Sequence, residues 1–251
     1  MGVLGYYGRS FFEELPPGGK RPTLGQVVWT VVPHLLDHPH VIEARRASDL
    51  THGSAVARFV KMSDEHFTKR EQKDLPILNL RLGETEEVIA YKAKRRPAVV
   101  VAMNATTIGD QKVAHHEENR CVVVPAYGLQ SEDDPSGFSG VMATRVRHLV
   151  YRQYFPFGEW QERRTRADCP NGSSLTEGII RLDRLQLVSP SPPGCMLVAV
   201  KIANEPFKLL QAWLWSYLHA AKDTGVWEDL ESLRELFSES MPDEARPRTR
   251  G

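Results

Sequence analysis

Arginines and aromatic rings interleave in one stretch of this chain, and that pattern carries its clearest chemical signal. Residues 141–167 hold six arginines against two acidic residues, and five rings lie among them: Tyr151, Tyr154, Phe155, Phe157 and Trp160. Guanidinium groups bind phosphates and aromatic rings stack on bases, so this composition favours binding of single-stranded RNA. The expected contacts on this stretch are Arg145, His148 and Arg152. The alternative is a solvated arginine-rich helix with its rings in the core.

A second basic group precedes an apolar run. Lys94, Arg95 and Arg96 lead into 97–102, which has the composition of a strand buried on both faces. Arginine suits phosphate binding, because its planar fork stays ionised and makes two bonds to phosphate, so we expect Arg96 to contact a phosphate and Lys94 and Arg95 to bind RNA beside it. The alternative is an arginine that faces solvent at a sheet edge.

Hydroxyl groups for such a site are found at three positions. Tyr127 follows Pro125 at the end of another apolar run, and Thr106 and Thr107 follow the run after Arg96. Tyr127 could contact the phosphate or stack on a base, or it could pack at the rim of a sheet. The two threonines are equally compatible with capping a turn before Gly109.

Other chemistries are less well supported. His34, His38 and His40 form one cluster and His115 and His116 another, but neither has the second ligand pair at regular spacing that a zinc site requires. No nucleotide-binding or nucleophile-elbow motif is found, so we expect neither a metal nor another cofactor.

Composition narrows the setting. Lysine plus arginine and aspartate plus glutamate number 32 each, so the chain as a whole is not basic. We expect no membrane span and no signal peptide. The three cysteines are far apart and indicate a reducing, cytoplasmic compartment. Acidic residues concentrate at 223–245, which holds eight acids against Arg234, and this segment could cover the basic surface as a mimic of RNA.

The elements that must position these residues are mostly strands, followed by helices. Alternation and β-branched runs predict strands over 26–32, 97–102, 121–124, 180–187 and 197–202, and a hairpin over 77–93. The phase of alternation changes near Arg184, which indicates a bend or bulge. Helical periodicity appears over 140–154, 205–221 and 227–237. Strands followed by helices predict an α+β fold, with a bent antiparallel sheet or small barrel packed by a C-terminal helix.

Four of these segments resemble, in order, the MazF/PemK family of bacterial toxins. Gly25–Trp29 is similar to the first strand of that family, Arg95–Val101 to its Arg-Pro-Ala-Val-Val strand, Val122–Pro125 to the next strand and Ile179–Leu187 to a later one. The resemblance implies a small bent β-barrel that usually dimerises. The resemblance places a barrel domain at 23–222 with an insertion at about 34–91. Pro16–Gly19 indicates a flexible lead-in at 1–22, and composition indicates an acidic helix and tail at 223–251, with the tail from Ser238 expected to be disordered.

The resemblance further implies a toxin that cuts single-stranded RNA without a metal, through the 2′-hydroxyl, and that is held inactive by an antitoxin. The family's catalytic arginine corresponds to Arg96. The position of its catalytic threonine is occupied by Tyr127. The resulting hypothesis is an endoribonuclease of a toxin–antitoxin or phage-defence system. One alternative is an inactive regulatory or protein-interaction subunit of a defence or signalling system. Another is a DNA-binding or gyrase-poisoning relative.

Overall fold

The structure, a computed structural model, describes residues 2–16, 18–34, 37–46, 55–69, 82–83, 85–103, 107–108, 111–112, 120–130, 137–161, 174–191, 194–219 and 225–247. Its α-helices are α1 (Val3–Tyr7), α2 (Gly140–Arg147), α3 (Asn204–His219) and α4 (Gly225–Glu239). Its strands are β1 (Phe12–Glu14), β2 (Gln26–Pro33), β3 (His40–Arg46), β4 (Ala55–Lys61), β5 (Ile89–Ala90), β6 (Ala93–Met103), β7 (Thr107–Ile108), β8 (Gln111–Lys112), β9 (Cys121–Gly128), β10 (Tyr154–Phe157), β11 (Trp160–Gln161), β12 (Ser174–Leu175), β13 (Gly178–Arg181), β14 (Gln186–Val188) and β15 (Cys195–Ile202).

The chain divides into two compact units. The first comprises Met1–Val31 and Arg95–Gly251, and the second comprises Val32–Lys94. The insertion predicted at 34–91 falls within the second unit. Each unit has its own sheet, and the predicted site residues from Arg95 onward belong to the first.

The first unit is built on an eight-stranded sheet. Its strands follow the order β1-β15-β2-β6-β9-β13-β10, and β14 pairs with β9 beside β13. The sheet curls, and the side-chain amide of Gln186 on β14 donates to the carbonyl of Val31 on β2 across 3.2 Å. The predicted α+β class with a bent antiparallel sheet is therefore confirmed.

The predicted bend near Arg184 is also confirmed. A short 3₁₀ turn, Leu182–Arg184, separates β13 from β14. Both strands pair antiparallel with β9, β13 at Ala126–Gly128 and β14 at Cys121–Val123. The change of phase in the sequence thus marks the point where the chain passes from one half of β9 to the other.

The core of the first unit lies between the curled sheet and the helices. Phe207, Leu210 and Trp213 on α3 are buried against strand residues, and the indole nitrogen of Trp213 donates to the carbonyl of Tyr154 across 2.9 Å. The same core includes Leu230 and Phe237 of α4. An apolar stripe on each helix therefore provides the burial that stabilises the sheet.

Both ends of the chain differ from the expectation. The lead-in was predicted to be flexible, but Val3 and Phe11 are buried in the core, and β1 pairs with β15. Beyond α4 the predicted tail buries Met241 and Ala245. The helix expected over 140–154 ends at Arg147, because the chain turns through Leu149 and enters β10. The apolar residues of these short end segments follow no regular period, so the sequence did not predict this packing.

The second unit contains a three-stranded antiparallel sheet in the order β4-β3-β5. Glu43 on β3 accepts a hydrogen bond from Nε of Arg58 on β4 across 2.7 Å. Of the hairpin predicted over 77–93, residues 77–81 and 84 lie outside the described residues, and the described remainder contains the two-residue β5 and the first residue of β6. In the part of the chain that the structure describes, no helix is long and apolar enough to cross a bilayer.

Candidate nucleic-acid interface

Arg96 and Tyr127 lie side by side on neighbouring strands. Ala98 on β6 pairs with Pro125 on β9, and two further residues along that antiparallel register bring Arg96 opposite Tyr127. Cζ of Arg96 lies 4.2 Å from the centroid of the Tyr127 ring, which is a cation–π contact. The two residues that the resemblance assigns to catalysis are therefore in direct contact.

A second guanidinium approaches the same ring. Arg181 on β13 lies 5.4 Å from the ring centroid of Tyr127 and 5.8 Å from that of Tyr154. Asp183 accepts hydrogen bonds from two of its nitrogens, one of them from Nε across 3.0 Å. These bonds raise the pKa of Arg181, so this guanidinium stays charged and is held in one orientation. The alternation of Ile180, Arg181, Leu182 and Asp183 predicted a strand here, but it gave no sign that Arg181 joins the site.

Four half-buried rings form a continuous line, here called the aromatic row: Tyr127, Phe138, Tyr154 and Tyr151. Successive ring centroids are 6.4, 5.8 and 5.9 Å apart, and every contact is edge-to-face. This is the favoured geometry of aromatic pairs other than offset stacking.

Two backbone bonds position Phe138 in the row. Its amide donates to the carbonyl of Gly128, and its carbonyl accepts from the amide of Gln130. Phe138 was not among the predicted site residues, because it lies between glycines outside the arginine-rich stretch.

The interleaved rings predicted from the sequence separate in three dimensions. Tyr151 and Tyr154 join the aromatic row, whereas Phe155 and Phe157 are buried in the core with 0% and 1% exposure. Trp160 is partly buried and packs against that core. Alternation along β10 explains part of the separation, since neighbouring residues of a strand point to opposite faces.

The basic residues of α2 and the turn after it also separate. Arg145 donates from Nε to the carbonyl of Ala245 across 2.8 Å and from Nη1 to the hydroxyl of Tyr151 across 3.2 Å. Arg152 is half-buried in the turn before β10. Arg147 is ion-paired with Glu177. Arg145 therefore adjoins the Tyr151 end of the aromatic row. Its other hydrogen bond is to a backbone carbonyl of the C-terminal segment.

His148 lies in the core. Its exposure is 6%, and its Nδ1 is hydrogen-bonded to the carbonyl of Thr144 across 2.7 Å. An imidazole in this position cannot reach a polynucleotide at the surface, so the prediction that His148 contacts RNA is wrong. The periodicity of α2 placed it beside two arginines, but the early end of the helix turns it inward.

The remaining predicted residues are distributed as follows. Lys94 and Arg95 are exposed near the start of β6, in the second and the first unit respectively. Thr106 and the histidines at 115 and 116 lie outside the described residues, as does the side chain of Thr107. Tyr127 is therefore the predicted hydroxyl that can be placed beside Arg96.

Across the described ranges, no group of three histidine, cysteine, aspartate or glutamate side chains could hold a metal ion. In the second unit, Nδ1 of His34 lies 3.8 Å from Asp37, and Nε2 of His66 lies 3.6 Å from Glu43. These are pairs rather than ligand sets.

The arrangement of rings and guanidinium groups determines which ligands this surface can bind. Half-buried rings with guanidinium groups beside them suit a flexible polyanion whose bases can turn outward, which is a single-stranded nucleic acid. A rigid duplex would present phosphates but no free base faces to these rings. No protein-family model, no curated protein and no solved structure matches this chain.

Proposed function

We propose that this protein is a metal-independent endoribonuclease that acts on single-stranded RNA, with Arg96 and Tyr127 at its centre. The observation that carries this proposal is the 4.2 Å contact between Cζ of Arg96 and the ring of Tyr127. The two residues are far apart in sequence, and both occupy positions that the MazF/PemK resemblance makes catalytic. Two strands of one sheet hold them together, which limits their movement relative to each other.

The proposed reaction is an internal transfer at phosphorus. The 2′-oxygen attacks the adjacent phosphorus as it loses its proton, the bond to the 5′-oxygen breaks, and that oxygen gains a proton. The products are a 2′,3′-cyclic phosphate and a 5′-hydroxyl. Arg96 would neutralise the charge of the pentavalent phosphorane, and the hydroxyl of Tyr127 would donate a hydrogen bond to it. Arg181 would add a second positive charge to the same face of the sheet.

The proposed setting follows from the same resemblance. The enzyme would serve as a toxin in a toxin–antitoxin or phage-defence system of the cytoplasm. A second protein, the antitoxin or another regulator, would hold it inactive, and the active form would be a homodimer. Growth arrest on expression in a bacterium, relieved by Arg96→Ala, is the expected cellular result.

A second candidate function is an RNA-binding or protein-interaction subunit without catalysis. The observation that favours it is the replacement of the family's threonine by Tyr127. A tyrosine carries its hydroxyl much further from the backbone, and here its ring contacts a guanidinium.

A cleavage assay distinguishes the two candidate functions. Purified protein is incubated with a long single-stranded RNA in excess chelator, and fragments and their end groups are identified by mass spectrometry. Cleavage to cyclic-phosphate ends is expected, with a loss of about a hundredfold or more in Arg96→Ala and a smaller loss in Tyr127→Phe. Arg58→Ala is the matched control, because Arg58 is an arginine ion-paired within the second unit.

The possible results have distinct meanings. No cleavage by the wild-type protein would overturn the enzyme proposal and leave the second candidate. Cleavage that persists in Arg96→Ala would place the chemistry elsewhere in the molecule.

A further inference from the structure

We propose that the aromatic row is a base-binding subsite, on which nucleotides flanking the phosphate at Arg96 are held with their bases turned away from one another. This inference rests on the proposed function and extends it from one phosphate to a short run of nucleotides. It adds Phe138 and Tyr154 as residues that contact the ligand.

The row lies along one face of the sheet. Tyr127 pairs with Ile179 across β9 and β13, and Arg181 pairs with Tyr154 across β13 and β10. Directly paired residues share a face, and so do residues two apart on one strand. Tyr127, Arg181 and Tyr154 are therefore on the same face, and Phe138 contacts both tyrosine rings there.

All four residues of the row remain partly exposed, although neighbouring aromatic residues are fully buried. Phe155 and Phe157, which follow Tyr154 on the same strand, have almost no exposure. If the rings of the row contributed only to core packing, they could be as fully buried as these two phenylalanines. Partly exposed rings beside arginines are the elements with which proteins bind unstacked bases.

The spacing of the rings indicates how the bases would lie. Adjacent centroids are 5.8 to 6.4 Å apart, and the ring planes are inclined by 62° to 80°. Bases in a helical stack are about 3.4 Å apart and parallel. Successive bases therefore cannot follow the row while stacked on each other, and each must take its own ring. The row selects an extended single strand over a helical one.

Positive charge brackets the row. Arg96 lies at the Tyr127 end, and Arg145 is hydrogen-bonded to the hydroxyl of Tyr151 at the other end. Arg181 lies between Tyr127 and Tyr154. Phosphates of a strand laid along the rings would meet a guanidinium at both ends of the subsite, and in its middle.

The test uses a ten-nucleotide 2′-O-methyl RNA, which lacks the nucleophile and so cannot be cleaved through it. Binding is measured by fluorescence anisotropy at fixed salt. We expect Tyr154→Leu and Phe138→Leu each to weaken binding about tenfold, since a stacked ring contributes that order of affinity. Tyr154→Phe keeps the ring and should stay within about twofold of the wild type. Trp215→Leu is the control, because Trp215 is an exposed ring on α3 that stacks on His219.

A second ligand isolates the bases from the phosphates. The same oligonucleotide with three central abasic residues keeps its backbone charge, so we expect it to bind the wild-type protein about tenfold or more weakly. It should also bind the wild type and Tyr154→Leu equally. Thermal unfolding of each variant confirms that the fold is intact.

The subsite proposal is overturned if the abasic oligonucleotide binds as tightly as the complete one, or if Tyr154→Leu and Phe138→Leu bind like the wild type. It is also overturned if neither oligonucleotide binds. The cleavage assay is read separately. If the protein cleaves RNA but the ring variants bind like the wild type, the proposed function stands and the subsite proposal fails. If binding depends on the rings but no RNA is cleaved, the subsite proposal stands and the enzyme proposal fails.

Discussion

The two ends of β9 lie in opposite surroundings. The closed end, Cys121–Val124, pairs with β6 on one side and β14 on the other, and Cys121 and Val123 are inaccessible to solvent. The open end, Ala126–Gly128, pairs with β13 and presents Tyr127 to Arg96 and Arg181. One strand thus fixes its position through burial at one end and carries the candidate site at the other.

The closed end is apolar apart from two thiols. Val28, Ala98, Val100, Cys121, Val123 and Cys195 form a separate buried cluster. Within it the thiol of Cys121 donates to the carbonyl of Val188 across 3.7 Å. The Cys195 thiol has a raised pKa, first because of its hydrogen bond with Cys121 and in addition because it is buried. We conclude that rigid packing at the closed end holds the open end in place, and four experiments test this conclusion.

The largest effect is expected from a charge placed at the closed end. Val123→Asp buries a carboxylate without a partner and should destabilise the fold by about 4 kcal/mol or more. Leu187→Asp on the adjoining β14 is the control, because Leu187 is 55% exposed. Chemical denaturation measures both variants. A folded Val123→Asp protein with wild-type stability would mean that the closed end does not anchor the strand.

The rate of thiol alkylation should also report the burial of the closed end, because Cys195 lies there. The raised pKa of Cys195 means that less thiolate is present at any pH than in a free cysteine, and only the thiolate reacts. Alkylation of Cys195 in the folded protein should be at least about a hundredfold slower than in the unfolded chain. Its rate should also still be rising at about pH 9 and above, where the rate of an ordinary thiol levels off because that thiol has ionised. Peptide mass spectrometry follows the site, and rapid labelling of Cys195 would contradict its burial.

A matched pair of glycines tests the open end. Gly178 and Gly128 pair directly across β13 and β9. A Cβ at Gly178 would lie 2.5 Å from the carbonyl oxygen of Tyr127, whereas a Cβ at Gly128 would meet nothing within 4 Å. Gly178→Ala should therefore push Tyr127 out of position and destabilise by about 1–3 kcal/mol. Gly128→Ala should have little effect, and equal unfolding curves for both variants would contradict this account.

The smallest effect on stability is expected at the proposed centre itself. Arg96→Ala removes a partly exposed cation–π contact and should lower the free energy of unfolding by only about 0.5–1 kcal/mol. Arg95→Ala, at an exposed neighbour, serves as the baseline. Unfolding of Arg96→Ala under native conditions would show that Arg96 is part of the scaffold, and its loss of function could then not be assigned to chemistry.

Much of the sheet could be predicted from the sequence because its strands are long and apolar. The run from Gln26 to Val32 and the run after Arg96 are rich in β-branched residues, and the alternation of the later strand changes phase at the bend near Arg184. The helix over Asn204–His219 has a wide apolar stripe and was predicted for the same reason. Periodicity reports how often a chain returns to the core, which is a local property.

The candidate site was predicted less completely. Arg96 and Tyr127 were named from a resemblance, but the approach of Arg181 and Phe138 was not, and His148 was assigned to the wrong environment. Burial of the two chain ends was also missed, since the apolar residues of these short segments follow no period. These features depend on which distant segments meet.

The amino-acid sequence by itself determined the class of the fold, the order of its main strands and the types of side chain available for chemistry, because each of these follows from local composition and spacing. Only the tertiary structure decided which arginines and rings share a surface, since the curl of the sheet and the two halves of β9 bring together residues that are far apart in the chain. Neighbours in sequence such as Tyr154 and Phe155 were separated by the same packing, because a strand turns adjacent side chains to opposite faces.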